Sequence, residues 1–118
     1  MRVSVICTVL NEGDSIRGLL ESLVAQTRRP DEVIFVDGGS DDDTMIRINE
    51  YADRLPLHII SEPGANISRG RNTAIENATS DVIASTDAGV RLDREWLASL
   101  VAPLETQEPA GGKPSPAV

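Results

Sequence analysis

Lysine is almost missing from this 118-residue chain, and its one occurrence, Lys113, falls in a Pro- and Gly-rich stretch. That removes a phosphate-binding P-loop, a Schiff-base lysine in the folded part, and the lysine that a receiver domain keeps beside its phosphorylated aspartate. Histidine also occurs once, at His58 within an apolar run, so it reads as structural and a Ser-His-Asp triad has no base. Cys7 is the lone cysteine. It excludes an internal disulfide and reads as a buried structural thiol. The aromatics are Phe35, Tyr51 and Trp96, each in an apolar pattern, which leaves no exposed rings to stack on sugar faces as a lectin does. Positive charge is short too: 11 basic against 19 acidic residues give a net charge of −8, so no nucleic-acid partner is expected. No apolar stretch approaches the ~18 residues of a spanning helix and no leader is visible, so the expectation is a cytoplasmic chain without a membrane span.

What is present is alternation. Four short apolar runs rich in β-branched residues, Val3 to Cys7, Val33 to Val36, Leu57 to Ile60 and Asp81 to Ala84, read as strands buried on both faces. Between them the apolar spacing changes to the 3.6-residue period of helices. Ile16, Leu19, Leu20, Leu23 and Val24 predict a helix over about residues 14–26, stopped by Pro30. Met45, Ile48, Ala52 and Leu55 predict a second, entered through Ser40 and three aspartates and ended by Pro56. A third begins near Asn66 or Ser68 and uses Ile67, Ala74, Ile75 and Ala78. A fourth uses Trp96, Leu97, Leu100, Val101 and Leu104 after a cap at Asp93. The order βαβαβαβα implies an α/β fold: a three-layer, Rossmann-like, doubly wound and mainly parallel sheet. One domain over about residues 1–105 is expected, followed by a disordered tail at 106–118.

Each run ends in a polar cluster, and in such a sheet these clusters meet at one edge, where ligands bind. Asp37 ends the second run and is followed by Gly38 and Gly39, which let the backbone turn tightly or approach a ligand. Asp37 either accepts hydrogen bonds from a base or ribose, or caps the turn together with Ser40. The run from Asp37 is no calcium loop, because Gly39 and Asp42 stand where that loop needs a ligand and a glycine. Asp41, Asp42 and Asp43 read as a solvated helix start. Arg69 and Arg71 lie in the first turns of the third helix, where the dipole opposes positive charge. They are either a diphosphate clamp or partners of Glu62, Asp87 or Glu76.

Together, the segments Val3 to Glu12, Ser22 to Thr27, Glu32 to Thr44, Gly70 to Ile75 and Thr86 to Gly89 resemble the nucleotide-binding half of the family 2 glycosyltransferases, which have the GT-A fold. The resemblance implies an inverting enzyme that transfers a sugar from a nucleoside diphosphate sugar to an acceptor of unknown kind. By it, Thr8, Asn11 and Glu12 border the nucleotide, and Asp37, with Gly39 beside it, lies at the base and ribose. Arg71 lies near the diphosphate. Asp87 opens the family's Asp-x-Asp motif and would hold Mg²⁺ or Mn²⁺. Three positions depart from the family pattern: Gly38 replaces an acid that commonly contacts uracil, Leu10 a frequent aromatic, and Gly89 the second acid of Asp-x-Asp. Either Asp87 holds the ion with waters and diphosphate oxygens, or Arg69 and Arg71 take over its charge. The complete family domain continues into an acceptor half that carries the catalytic base. The expectation is therefore a donor-binding half that does not transfer sugar alone; the alternative is a non-catalytic nucleotide- or partner-binding α/β domain. Homo-oligomerisation is left open.

Overall fold

In this computed structural model, which describes residues 1–105, a four-stranded parallel sheet is wound on both faces by helices. The chain runs β1 (Val3–Val9), a 3₁₀ turn (Gly13–Ser15), α1 (Ile16–Val24), β2 (Glu32–Asp37), α2 (Thr44–Asn49), β3 (Leu57–Ser61), α3 (Ile67–Asn77), β4 (Val82–Ser85) and α4 (Trp96–Glu105). The strand order is β3-β2-β1-β4. The chain therefore builds outward from β1 in one direction and then crosses to its other side, and the strand ends part at β1 and β4. That is the topological switch point where open α/β sheets bind ligands.

The two-residue strand period sorts the core. Val3, Val5, Cys7 and Val9 of β1, with Val33 and Phe35 of β2, join Leu19, Leu23, Ile48 and Leu97 in the larger apolar cluster. The intervening Ile6, Ile34 and Val36 face the other way, onto Ala74 of α3. One face thus carries α1, α2 and α4, and the other carries α3. α3 packs mainly on β1 and β2, with Ile60 of the outer strand only partly buried at the margin of that cluster.

That arrangement corrects the expectation of four strands buried on both faces. β3 is an edge strand, only partly buried, and His58 on it is exposed instead of being a packed structural histidine. The helices are also shorter than their apolar periods imply. α1 is preceded by a 3₁₀ turn, and α2 gives way after Asn49 to turns in which Tyr51, Ala52 and Arg54 bond three residues back. Ser40 does not cap α2. Asp43 holds the cap position without a capping side-chain bond and pairs with Arg47 at 2.8 Å, while Asp42, one residue earlier, accepts the Thr44 N–H at 2.9 Å. Of the two starts considered for the third helix, Asn66 is the cap, its Oδ1 accepting the Arg69 N–H at 2.8 Å, and Asp93 matches its expected role, its Oδ2 accepting the Glu95 N–H at 2.9 Å. The expected tail at 106–118 lies outside the described residues. Among those described, no helix is long and apolar enough to cross a membrane.

Candidate functional site

At the switch point, the loops after β1 and β4 and the first turns of α3 enclose an open cleft of about 800 Å³. Of the residues singled out in the sequence, Thr8, Glu12, Arg71 and Asp87 line it. These come from three separate elements, brought together because β1 lies between β2 and β4 and α3 crosses above β1. Leu10, Ala65, Ile67 and Ser68 also line it; Leu10 stands where the family resemblance expects an aromatic, while the sequence does not single out Ala65, Ile67 and Ser68 as site residues. The available signal was Asn66: a residue that caps α3 puts Ala65 and Ser68 on either side of a helix start.

Asn11, Asp37 and Gly39 do not line the cleft; the Asn11 N–H and Oδ1 and the Asp37 carboxylate are bonded to the loop after β2. Asp37 is 5% exposed and accepts from Ser40 twice, at 2.6 Å from Oγ and 3.2 Å from the backbone N–H. The Asn11 N–H donates to Ser40 Oγ at 2.8 Å, and Asn11 Oδ1 accepts the Asp41 N–H at 2.9 Å. Gly39 has φ 109°, a left-handed conformation suited to glycine, at the corner where the chain turns from β2 toward α2. Gly38 is confined from above: a β-carbon there would stand 2.8 Å from the carbonyl oxygen of Ala65.

The two arginines of α3 separate in the same way. Arg69 Nε bonds Glu62 Oε1 at 2.9 Å, outside the cleft. Arg71 lines the cleft and makes no ion pair among the described residues, as do the carboxylates of Glu12 and Asp87. The Ile67 and Ser68 amides in the first turn of α3 likewise have no acceptor among the described residues, so this helix end offers N–H groups and a positive dipole to an anion. Beneath them, the Cys7 thiol is pushed up to about 12, first by burial and then by the negative charges of Glu12 and Asp87. It stays protonated and neutral at the cleft floor.

A divalent ion fits these residues in a limited way. The described residues contain no group of three or more His, Cys, Asp or Glu side chains that could form a protein cage. Asp87 is exposed with its carboxylate unengaged, and a β-carbon at Gly89 would meet nothing within 4 Å. One carboxylate completed by substrate phosphate oxygens and water is how Mg²⁺ is commonly held. Asp87 would be that ligand, and the ion would neutralise charge on a diphosphate.

A Rossmann-like parallel sheet with its cleft at the switch point defines a nucleotide-binding class of α/β domain. Residues 4–115 match the family model described as Glycosyl transferase family 2, and the chain belongs to that family. It is 35% identical over 88 residues to an uncharacterized glycosyltransferase, YibD, of Escherichia coli, covering 74% of this chain and 26% of that protein. It is 32% identical over 108 residues to the undecaprenyl-phosphate 4-deoxy-4-formamido-L-arabinose transferase of Klebsiella pneumoniae, covering 86% of this chain and 33% of that protein. Among solved structures it is similar to residues 1–349 of S. aureus TarS in complex with UDP-GlcNAc, with a TM-score of 0.81 and 25% identity. That alignment covers 98% of this chain and 37% of the other. The chain thus spans about a quarter to a third of the length of these two curated relatives.

Proposed function

We propose that this chain is the donor-binding portion of an inverting glycosyltransferase, which takes a sugar from a nucleoside diphosphate sugar and passes it to an acceptor not yet identified. The observation that carries this reading is that Arg71, the open amides of α3 and Asp87 border one cleft at the switch point. A diphosphate needs positive charge on its oxygens, and a helix start with an unpaired guanidinium supplies it. The apolar Leu10 and Ile67, 50% and 64% exposed, offer a surface on which a base can rest. TarS, solved with UDP-GlcNAc, supports a nucleoside diphosphate sugar as the ligand class.

Charge favours a divalent cation as cofactor. Glu12 and Asp87 put two carboxylates in the cleft against the single guanidinium of Arg71, so an incoming diphosphate adds to an already negative balance. When bound, a cation at Asp87 would neutralise the leaving diphosphate. Thr8, Glu12 and Arg71 would then contact nucleotide and diphosphate directly.

The chain alone is expected to bind donor without transferring sugar. Activation of an acceptor hydroxyl by a general base is worth ~10²–10⁴-fold, and the two acids that follow Asp87 most closely, Asp93 and Glu95, are already in use. Asp93 accepts the Glu95 N–H, and Glu95 accepts from Thr27 Oγ1 at 2.9 Å. Titration of the 118-residue chain with UDP, GDP and TDP, with and without Mn²⁺ and followed by amide NMR, tests the binding reading. Shifts should gather at Thr8 to Glu12, Ile67 to Arg71 and Thr86 to Gly89. Saturating ligand that moves none of these amides would sink it. Acceptor-dependent release of nucleoside diphosphate above slow donor hydrolysis would overturn the inactivity.

A further inference from the structure

We infer that Asn11, Ser40 and Asp37 are positioning residues, which strap the first loop of the cleft to the loop after β2 and do not themselves touch the nucleotide. The inference rests on the donor-site reading above and assigns these side chains a role inside it. Three observations carry it. First, the loop alternates: Leu10 and Glu12 line the cleft, and Asn11 between them is turned away. Second, Asn11 has φ 50° and is the one non-glycine residue with positive φ among those described. Asparagine tolerates this left-handed geometry better than most residues, and here it reverses the chain locally. Third, the reversed residue is bonded on both sides. Its N–H donates to Ser40 Oγ, Ser40 Oγ donates onward to Asp37 Oδ1, and its own Oδ1 receives the Asp41 N–H. Gly13 completes the strap through its N–H to Thr44 Oγ1 at 2.9 Å.

Asp37 is the anchor of this chain of bonds and is closed off from ligand. Its carboxylate is buried against Ser40, its carbonyl accepts the Glu62 N–H at 2.8 Å, and the Gly38 carbonyl accepts the Gly64 N–H at 2.9 Å. Ala65, which does line the cleft, places its carbonyl oxygen where a side chain at position 38 would begin. A nucleotide in the cleft meets Ala65 before it can meet Asp37. Leu10 and Glu12 are thus held in the wall by a turn whose closing bonds all lie outside it.

The test uses the full 118-residue chain and UDP as probe. Asp37→Asn keeps an oxygen that accepts from Ser40, so it should bind UDP within about threefold of the unaltered chain. Ser40→Ala removes the link and should weaken UDP by about tenfold. It should also shift the Leu10 and Glu12 amides before any ligand is added, with the β4 amides unmoved. A direct contact from Asp37 to the nucleotide predicts the reverse: Asp37→Asn weakens UDP by about tenfold, and Ser40→Ala leaves the free-chain amides of Leu10 and Glu12 in place. That result would overturn the inference. If Ser40→Ala does not fold, Thr44→Val, which keeps the side-chain shape and deletes the acceptor of the Gly13 N–H, must shift the same two amides for the strap to stand. If the unaltered chain binds no UDP, the donor-site reading falls, and the free-chain shifts decide the strap separately.

Discussion

A β-carbon placed on Gly70 would stand 2.5 Å from both Oγ1 and Cγ2 of Thr8. Gly70 lies within α3 and is buried, so this contact sets how closely the helix approaches β1, and with it how Arg71 is carried to the cleft. On an exposed helix, Gly→Ala would gain up to ~1 kcal/mol in propensity. Here overpacking opposes that gain, at a typical cost of about 1–3 kcal/mol. Gly70→Ala should therefore lower stability in urea unfolding. Adding Thr8→Ala should restore most of the loss, because it removes both clashing atoms. Equal losses in the single and double variants would show that the contact does not set the spacing.

Arg71→Ala should weaken nucleoside diphosphate binding by about 1.5–3 kcal/mol, the range of a hydrogen bond to a charged group, and leave nucleoside binding almost unchanged. Arg69→Ala should do little to either. Arg69 is 70% exposed and already paired with Glu62, and an exposed pair of that kind is worth ~0–1 kcal/mol. Calorimetry with UDP and uridine separates the two arginines. A large Arg69 effect would assign the anion contact to the wrong residue.

Asp87→Asn should abolish the Mn²⁺ enhancement of UDP binding. Asp87 is the one exposed and unengaged carboxylate on the β4 side of the cleft, and an amide oxygen is a poorer ligand for a hard cation. Enhancement that survives in the variant would move the ion to Glu12, across the cleft. The comparison needs only binding curves with and without the metal.

The Glu62 carboxyl is held below its ordinary value, first by the hydrogen bond from the Thr73 hydroxyl and then by Arg69. The folded chain therefore holds this proton more weakly than the unfolded one. The group's contribution to stability is complete above the unfolded value of about 4.3 and is lost as pH falls through the lower folded value. Thr73→Val should move the Glu62 titration upward, and carboxyl-carbon NMR would record it. An unmoved titration would transfer the effect to Arg69 alone.

The order of strands and helices, the nucleotide-binding class and the family are legible in the residues themselves. Strand runs and helical stripes are local patterns, completed within about ten residues, and Pro30 and Pro56 mark where they stop. The cap at Asp93 is legible for the same reason, and the start of α3 is legible to within Asn66 or Ser68, since a cap answers amides only two or three residues ahead. Even α2 is found correctly at its start, and misjudged only where Ala52 and Leu55 keep the apolar spacing through turns that are no longer α-helical.

What the sequence by itself determined, then, is the set of elements and the short list of side chains that carry chemistry. Which of those side chains meet was decided by the tertiary structure. Arg69 and Arg71 are two residues apart and alike in chemistry, yet a helix turns by about 200° over two residues, so one meets Glu62 and the other faces the cleft. Asp37 reads from the sequence either as a ligand or as a turn cap, and only the fold shows its carboxylate accepting from Ser40 and its carbonyl from the loop at 62–65. His58 reads as core until the strand order puts β3 at the edge. In each case the deciding contact depends on how the strands are ordered and how α3 crosses them, and no local period encodes that.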